Sequence, residues 1–142
     1  MLIDELKRVQ ADTFAMYNKA HYYHWNVEGA DFVQYHGFLD DVYNALWSAV
    51  DDIAEQVRQL GAYAPNGKRS LVDLAHITVD DGIPDALQMF KNLQSDNQVA
   101  MEGILIAYHS SEAEMQIGLG NFLQDRMMYH KKLDWMLKSI IK

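Results

Sequence analysis

A chain in which apolar residues return every three or four positions, over long stretches free of proline, has little choice but to form amphipathic helices. Only two prolines occur here, Pro65 and Pro84, and they bracket a mixed segment in mid-chain. Before them, Leu2, Leu6, Val9, Thr13, Met16, Tyr17 and Ala20 trace one helical face from about Leu2 to Val27, where Glu28-Gly29-Ala30-Asp31 interrupts it. A second helix is predicted from Phe32 to Leu60. Phe38, Leu39, Val42, Ala45, Leu46, Ala49, Val50, Ile53 and Val57 carry it, and Gly61 stops it, being suited to the left-handed conformation that ends helices. Pro65-Asn66-Gly67 signals a turn, and Ser70-Leu71-Val72-Asp73 opens a short connector helix. Pro84 fits the first position of a third long helix reaching about His109, with Leu87, Phe90, Leu93, Val99, Ile104 and Leu105 as its apolar set. Ser111-Glu112-Ala113-Glu114 has capping-box spacing and is expected to open a fourth, whose first turns Gly118 and Gly120 weaken. The predicted fold is all-α: a four-helix bundle with a short connector helix in the longer crossover between the second and third long helices. A chain of 142 residues suffices for one buried core, so a single domain over 1–142 is expected.

Composition narrows the function. Hydrophobic residues at 49% and charged residues at 23% exclude a disordered chain. Twelve basic against 20 acidic residues give a net charge of −8, which repels phosphate backbones and disfavours nucleic-acid binding. Cysteine is absent, which excludes thiolate metal sites and cysteine nucleophiles. Charges interrupt the N-terminal Met1-Leu2-Ile3-Asp4-Glu5-Leu6-Lys7 where a signal peptide needs an apolar run, and the longest apolar run, Ile104 to Tyr108, is far short of a membrane span. A soluble cytoplasmic protein, with no membrane partner, is the expectation.

Histidines and carboxylates then have to be judged by spacing. Di-iron helical bundles ordinarily clamp metal inside one subunit with Glu-x-x-His on two helices. None of the six glutamates here has a histidine three residues later. The chain instead carries His24 near the end of the first helix and His36, Asp40, Asp51 and Glu55 along the second. With His36 at zero and about 100° per residue, Asp40 falls near 40°, Asp51 near 60° and Glu55 near 100°, all on one face. Asp51 nevertheless lies roughly 22 Å along the axis from His36, at about 1.5 Å per residue, so the two pairs cannot share an ion within one chain. Two such helices crossing antiparallel about a two-fold axis would bring His36 and Asp40 of one against Asp51 and Glu55 of the other, giving two identical intersubunit sites per dimer. Imidazole and carboxylate without sulfur suit iron or zinc, iron where redox chemistry is intended. A solvated acidic face is the alternative reading of the same spacing.

The residues His24-Trp25-Asn26-Val27-x-Gly29-x-x-Phe32-x-x-x-His36-x-x-x-Asp40, followed by Asp51-x-x-Ala54-Glu55 and Leu60-Gly61, resemble the signature of the Dps proteins, the dodecameric mini-ferritins named for DNA protection during starvation. Arg126, His130, Lys132 and Trp135-Met136-Leu137 are similar, more loosely, to that family's last helix. The resemblance implies a ferritin-like bundle in which His24, His36 and Asp40 of one subunit and Asp51 and Glu55 of its two-fold partner hold metal. It implies oxidation of Fe(II) to Fe(III), preferably by hydrogen peroxide, and storage of ferric mineral in a hollow dodecameric shell that protects against oxidative damage, with zinc a possible substitute for iron. Trp25 is the residue expected to absorb stray oxidising equivalents, its alternative being a packing residue at a helix end. Tyr22, Tyr23, Tyr35 and Tyr43 are weaker candidates for the same role. Asp41 and Asp52 either seed mineral on an inner surface or form a solvated acidic face. For His21, His76, His109 and His130, capping or surface roles are expected.

Several positions depart from the family pattern. No lysine-rich tail flanks the helices, so no appreciable DNA binding is expected. Gln116 and Asn121 stand where many members line a three-fold pore with acidic residues, which predicts slower iron loading, with Glu112 or Glu114 at the pore mouth. Gln56 follows Glu55 where arginine is common. The rival functions are a shell that sequesters metal with little ferroxidase turnover, and a structural assembly whose metal residues are idle.

Overall fold

The computed structural model describes the backbone of residues 1–142 and every side chain except that of Lys68. Five helices follow one another: α1 (Leu2–Asn26), α2 (Phe32–Gln59), α3 (Gly67–Leu74), α4 (Ala86–Ala113) and α5 (Ile117–Ile141), with no strand among the described residues. Helices α1 and α2 form one antiparallel hairpin and α4 and α5 another, with α1 against α4 and α3 lying on α1. One apolar cluster joins Met16, Tyr23, Leu39, Leu46, Phe90, Leu93, Leu133 and Leu137 at one end of the bundle. A second joins Leu6, Val9, Ile53, Val57, Ile104, Ala107 and Leu123 at the other. Helices α2 and α4 both run from the first cluster toward the second, so the 60–85 crossover has to return the chain along the length of the bundle.

The ends of α1 and α2 fall where the sequence predicts. Gly61, at φ 86°, closes α2 by donating to the Arg58 carbonyl, while Ala62 donates to that of Val57. Farther on, three expectations are corrected. Helix α3 begins at Gly67 rather than near Ser70. Pro84 lies before α4 rather than at its first position, because Asp85 is the cap and accepts the Gln88 amide at 2.8 Å. Ser111-Glu112-Ala113 ends α4 instead of opening α5. Ser111 is buried and bonds back to the Tyr108 carbonyl, and Met115 takes the left-handed conformation at φ 55° that closes the helix. Leu87 and Leu105, expected in the core, are each 48% exposed, because Asn97, Met101 and Gly103 take the inward positions of α4.

Polar groups occupy the interior between the apolar clusters, and several are paired there. Asp12 accepts Arg8 Nε at 3.2 Å and the His76 amide at 2.6 Å. Gly103 leaves room for that arginine, since a Cβ there would come within 3.3 Å of its Nε. Lys19 reaches Asp96 of α4 at 2.8 Å and Asp80 of the crossover at 3.6 Å, and Asp80 also accepts the Tyr23 hydroxyl. His130, expected at the surface, is fully buried. Its Nδ1 donates to Asn97 Oδ1 at 2.7 Å, and Arg126 donates to its Nε2 at 3.3 Å.

Burial, with the Arg126 charge beside it, lowers the His130 pKa from 6.5 to about 3. The folded state therefore keeps His130 neutral while the unfolded chain protonates it, so stability is full above pH 6.5 and is lost as pH falls toward about 3. The expected slope is about 1.4 kcal/mol per pH unit from this one group. Urea unfolding of wild type and His130→Gln across that range checks it: the variant loses this part of the acid slope, and equal slopes would refute the assignment.

Candidate metal centre

The turn from Val27 to Asp31 sets the last turn of α1 against the first turns of α2. His24 and His36 meet there with ring centroids 3.7 Å apart and planes 16° from parallel. Each uses its Nδ1 on the other's main chain: His24 Nδ1 lies 2.8 Å from the His36 carbonyl oxygen, and His36 Nδ1 lies 2.7 Å from that of His24. A carbonyl can only accept, so both rings carry hydrogen on Nδ1, and in the neutral form each presents Nε2 as a bare lone pair. The His24 carbonyl belongs to the end of α1, where helical carbonyls lack a partner four residues on, so the His36 ring also caps α1.

Asp40 lies one turn beyond His36 and is half-buried. Asn44 Nδ2 donates to its Oδ1 at 2.9 Å, and the Asp40 carboxylate nearby pushes the Tyr43 phenol above its ordinary value. Asp51 and Glu55 stay on the exposed side of the unbroken α2, far from the histidines. Asp51 borders a shallow surface hollow with Trp47 and Ser48. No three histidine or carboxylate side chains among the described residues come close enough to hold one ion. His24, His36 and Asp40 thus form no three-ligand cluster within the chain, and Asp51 and Glu55 lie apart from them along one exposed strip of α2, on which Val33 is 78% and Trp47 55% exposed.

Trp25 is 65% exposed and rests on His21, with centroids 4.2 Å apart. His21 had only a capping or surface role in the sequence reading, and the structure corrects this. It is half-buried, stacked on Tyr43 at 3.9 Å and 5°, and bonded through Nδ1 to the Tyr17 hydroxyl at 3.1 Å. Burial, with His24 nearby, holds its pKa below the usual histidine value against the pull of Asp40. Its position one helical turn before His24 was the available signal. Of the four candidate tyrosines, Tyr43 is the one beside the histidines, with its ring 5.1 Å from that of His24. Tyr22 bonds to the Gly82 carbonyl, Tyr23 to Asp80, and Tyr35 packs edge-on to Phe90. His76 and His109 are exposed, as expected.

The ferritin-like domain family matches residues 3–142 of this chain. The chain is 32% identical to an uncharacterized low temperature-induced protein of Nostoc sp., covering 99% of itself and 80% of that protein. It is 25% identical to the DNA protection during starvation protein of Helicobacter pylori over 94% of each chain. The crystal structure of antigen TpF1 from Treponema pallidum superposes with a TM-score of 0.95 at 25% identity, covering 99% of this chain and 91% of that one. The chain belongs to the Dps family of ferritin-like proteins. In this Dps chain the polar positions Gln116 and Asn121 lie exposed at the α4–α5 turn beside Glu112, which accepts the Tyr108 hydroxyl at 2.9 Å. Glu114 is exposed at the same turn as the C-cap of α4.

The reciprocal bonding of the two imidazoles makes a direct spectroscopic prediction. In nitrogen-15 NMR of metal-free protein at neutral pH, His24 and His36 are expected to show protonated Nδ1 and unprotonated Nε2. The opposite tautomer in either ring would break the arrangement described.

Proposed function

We propose that this Dps protein is a mini-ferritin that binds Fe(II) between two chains, oxidises it with hydrogen peroxide and retains the ferric product inside a hollow homo-oligomeric shell, a dodecamer as in the family resemblance. Membership in the ferritin-like family supports iron handling at the coarse level. The observation that carries the finer reading is the reciprocally bonded His24–His36 pair, at the start of a helix α2 that also bears Asp40, Asp51 and Glu55. An antiparallel crossing of two α2 strips about a two-fold axis joins His24, His36 and Asp40 of one chain to Asp51 and Glu55 of the other, twice per dimer.

Such a set suits the reaction. Neutral imidazoles bind Fe(II), and the carboxylates favour the harder Fe(III), which eases removal of the electron. One peroxide takes one electron from each of two Fe(II) ions and leaves as two hydroxides, so no hydroxyl radical is released. Trp25, exposed and in contact with His21, is placed to intercept oxidising equivalents that escape. Asp41 and Asp52 are exposed on the side of α2 nearer Tyr129 and Arg126 of α5 and are candidates to collect ferric ions. The same nitrogen and oxygen donors accept zinc, which would compete for the site. The cytoplasm, where Fe(II) is available, is the setting this reading implies. Among the described residues no helix is long and apolar enough to cross a membrane.

Anaerobic Fe(II) loading followed by one addition of peroxide tests the reaction. Fast oxidation with iron retained on the protein is expected, and a rate at the buffer background, or ferric precipitate outside the protein, would favour simple sequestration. Subunit mixing tests the shared site. Asp40→Ala and Asp51→Ala are each expected to abolish fast oxidation alone. Co-refolding the two should restore about a quarter of wild-type turnover, because random pairing makes half the dimers mixed and each mixed dimer holds one intact site. No recovery would refute the two-chain site. With net charge −8 per chain, gel-shift at about 0.15 M salt without divalent metal is expected to show no DNA retardation.

A further inference from the structure

From Ala75 to Gly82 the crossover runs alongside α1 as a strap held near both ends. At one end the Asp12 carboxylate accepts the His76 amide at 2.6 Å. At the other, the Tyr22 hydroxyl donates to the Gly82 carbonyl at 3.1 Å, and Asp80 lies 3.6 Å from the Lys19 ammonium. Asp12 and Tyr22 are about 15 Å apart along the helix axis, and between these anchors the strap stands off the helix. A cleft of about 280 Å³ results. Small side chains leave the room: α1 contributes Ala11 and Ala15 and the strap Ala75, with Phe14, Leu71 and Ile77 as larger apolar neighbours. The charged lining groups, Lys19, Asp80 and Asp81, all stand toward the Gly82 end. Lys19 is buried and directed to Asp96 of α4 at 2.8 Å, so the half-buried Asp80 and the exposed Asp81 leave that end with an excess of negative charge. None of the residues of the candidate metal centre lines the cleft.

We propose that this cleft binds a small amphipathic amine, with its apolar body between α1 and the strap and its ammonium against Asp80 and Asp81. Three observations converge on that class of ligand. The volume is at the lower end of ordinary ligand pockets, which sets the size. The apolar walls reward displacement of water by hydrocarbon, and their pinned strap lowers the ordering cost of binding. The unbalanced carboxylates at one end select a cationic head over an anionic one.

Calorimetric titration of the assembled protein with n-octylammonium, 1-octanol and octanoate at about 0.15 M salt tests the site, the salt damping diffuse attraction to a chain of net charge −8. Saturable binding of one n-octylammonium per chain is expected, about tenfold tighter than 1-octanol, with octanoate weakest. Shortening the chain to n-hexylammonium should weaken binding about sixteenfold, about fourfold for each methylene. Asp81→Asn should bring n-octylammonium down toward 1-octanol and leave 1-octanol itself unchanged, because Asp81 is exposed and outside the packing. Ala15→Phe fills the cleft and should abolish binding of all three, with circular dichroism and particle size confirming a folded, assembled protein. Absence of saturable binding, octanoate binding as tightly as n-octylammonium, or unchanged n-octylammonium affinity in either variant would each overturn the proposal. Iron oxidation by Asp81→Asn is expected at the wild-type rate, since the cleft and the metal centre share no lining residue.

Discussion

The turn between α1 and α2 is the constraint on which the rest depends. Five residues, Val27 to Asp31, are too few to let two long helices do anything but fold back on each other. His24, close to the end of α1, therefore lies opposite His36, just inside α2. Once there, each ring spends its Nδ1–H on the other's carbonyl. A local chain reversal thus fixes the tautomer, the ring orientation and the free lone pair of both imidazoles, which a metal site ordinarily obtains from separate supporting groups.

The same hairpin decides what one chain cannot do. Because α2 continues unbroken to Gln59, the rigid rod that carries His36 and Asp40 also carries Asp51 and Glu55 away from them. On the proposed two-chain reading, a bend in α2 would have closed the site within the subunit, and a straight helix leaves it to a second copy. That reading links chemistry to assembly, and the exposed Val33, Trp47 and carboxylates of the α2 strip suit a surface that meets a second copy.

Inside the bundle, polar pairs hold what apolar packing alone would leave loose. The crossover must travel the length of the molecule, and it is pinned to α1 at two points: Asp12 takes the His76 amide, and Asp80 is shared by Lys19 and Tyr23. Moving the crossover would strand buried charges, which is costly, so these pairs define its path even though buried ion pairs add little net stability. The Asn97–His130 bonds play the same part between α4 and α5.

Much of this was legible in the chain itself. Helical periodicity and the scarcity of proline dictated a four-helix bundle, Gly61 set the end of α2, and the spacing of His36, Asp40, Asp51 and Glu55 placed them on one face at two distant heights. Local signals misled where tertiary contacts competed with them. The Ser111-Glu112-Ala113-Glu114 run reads as a helix start, but packing buries Ser111 at a helix end, and no composition rule announces a left-handed Met115. His21 and His130 were illegible for a related reason: one ring is defined by a tyrosine from another helix, the other by an asparagine 33 residues away. The sequence by itself determined that His36, Asp40, Asp51 and Glu55 share one helical face and that one straight helix cannot bring the two pairs together. Only the tertiary structure decided which imidazole nitrogens are tied up, because the reciprocal bonds of His24 and His36 join two helices and periodicity along a single helix does not encode them.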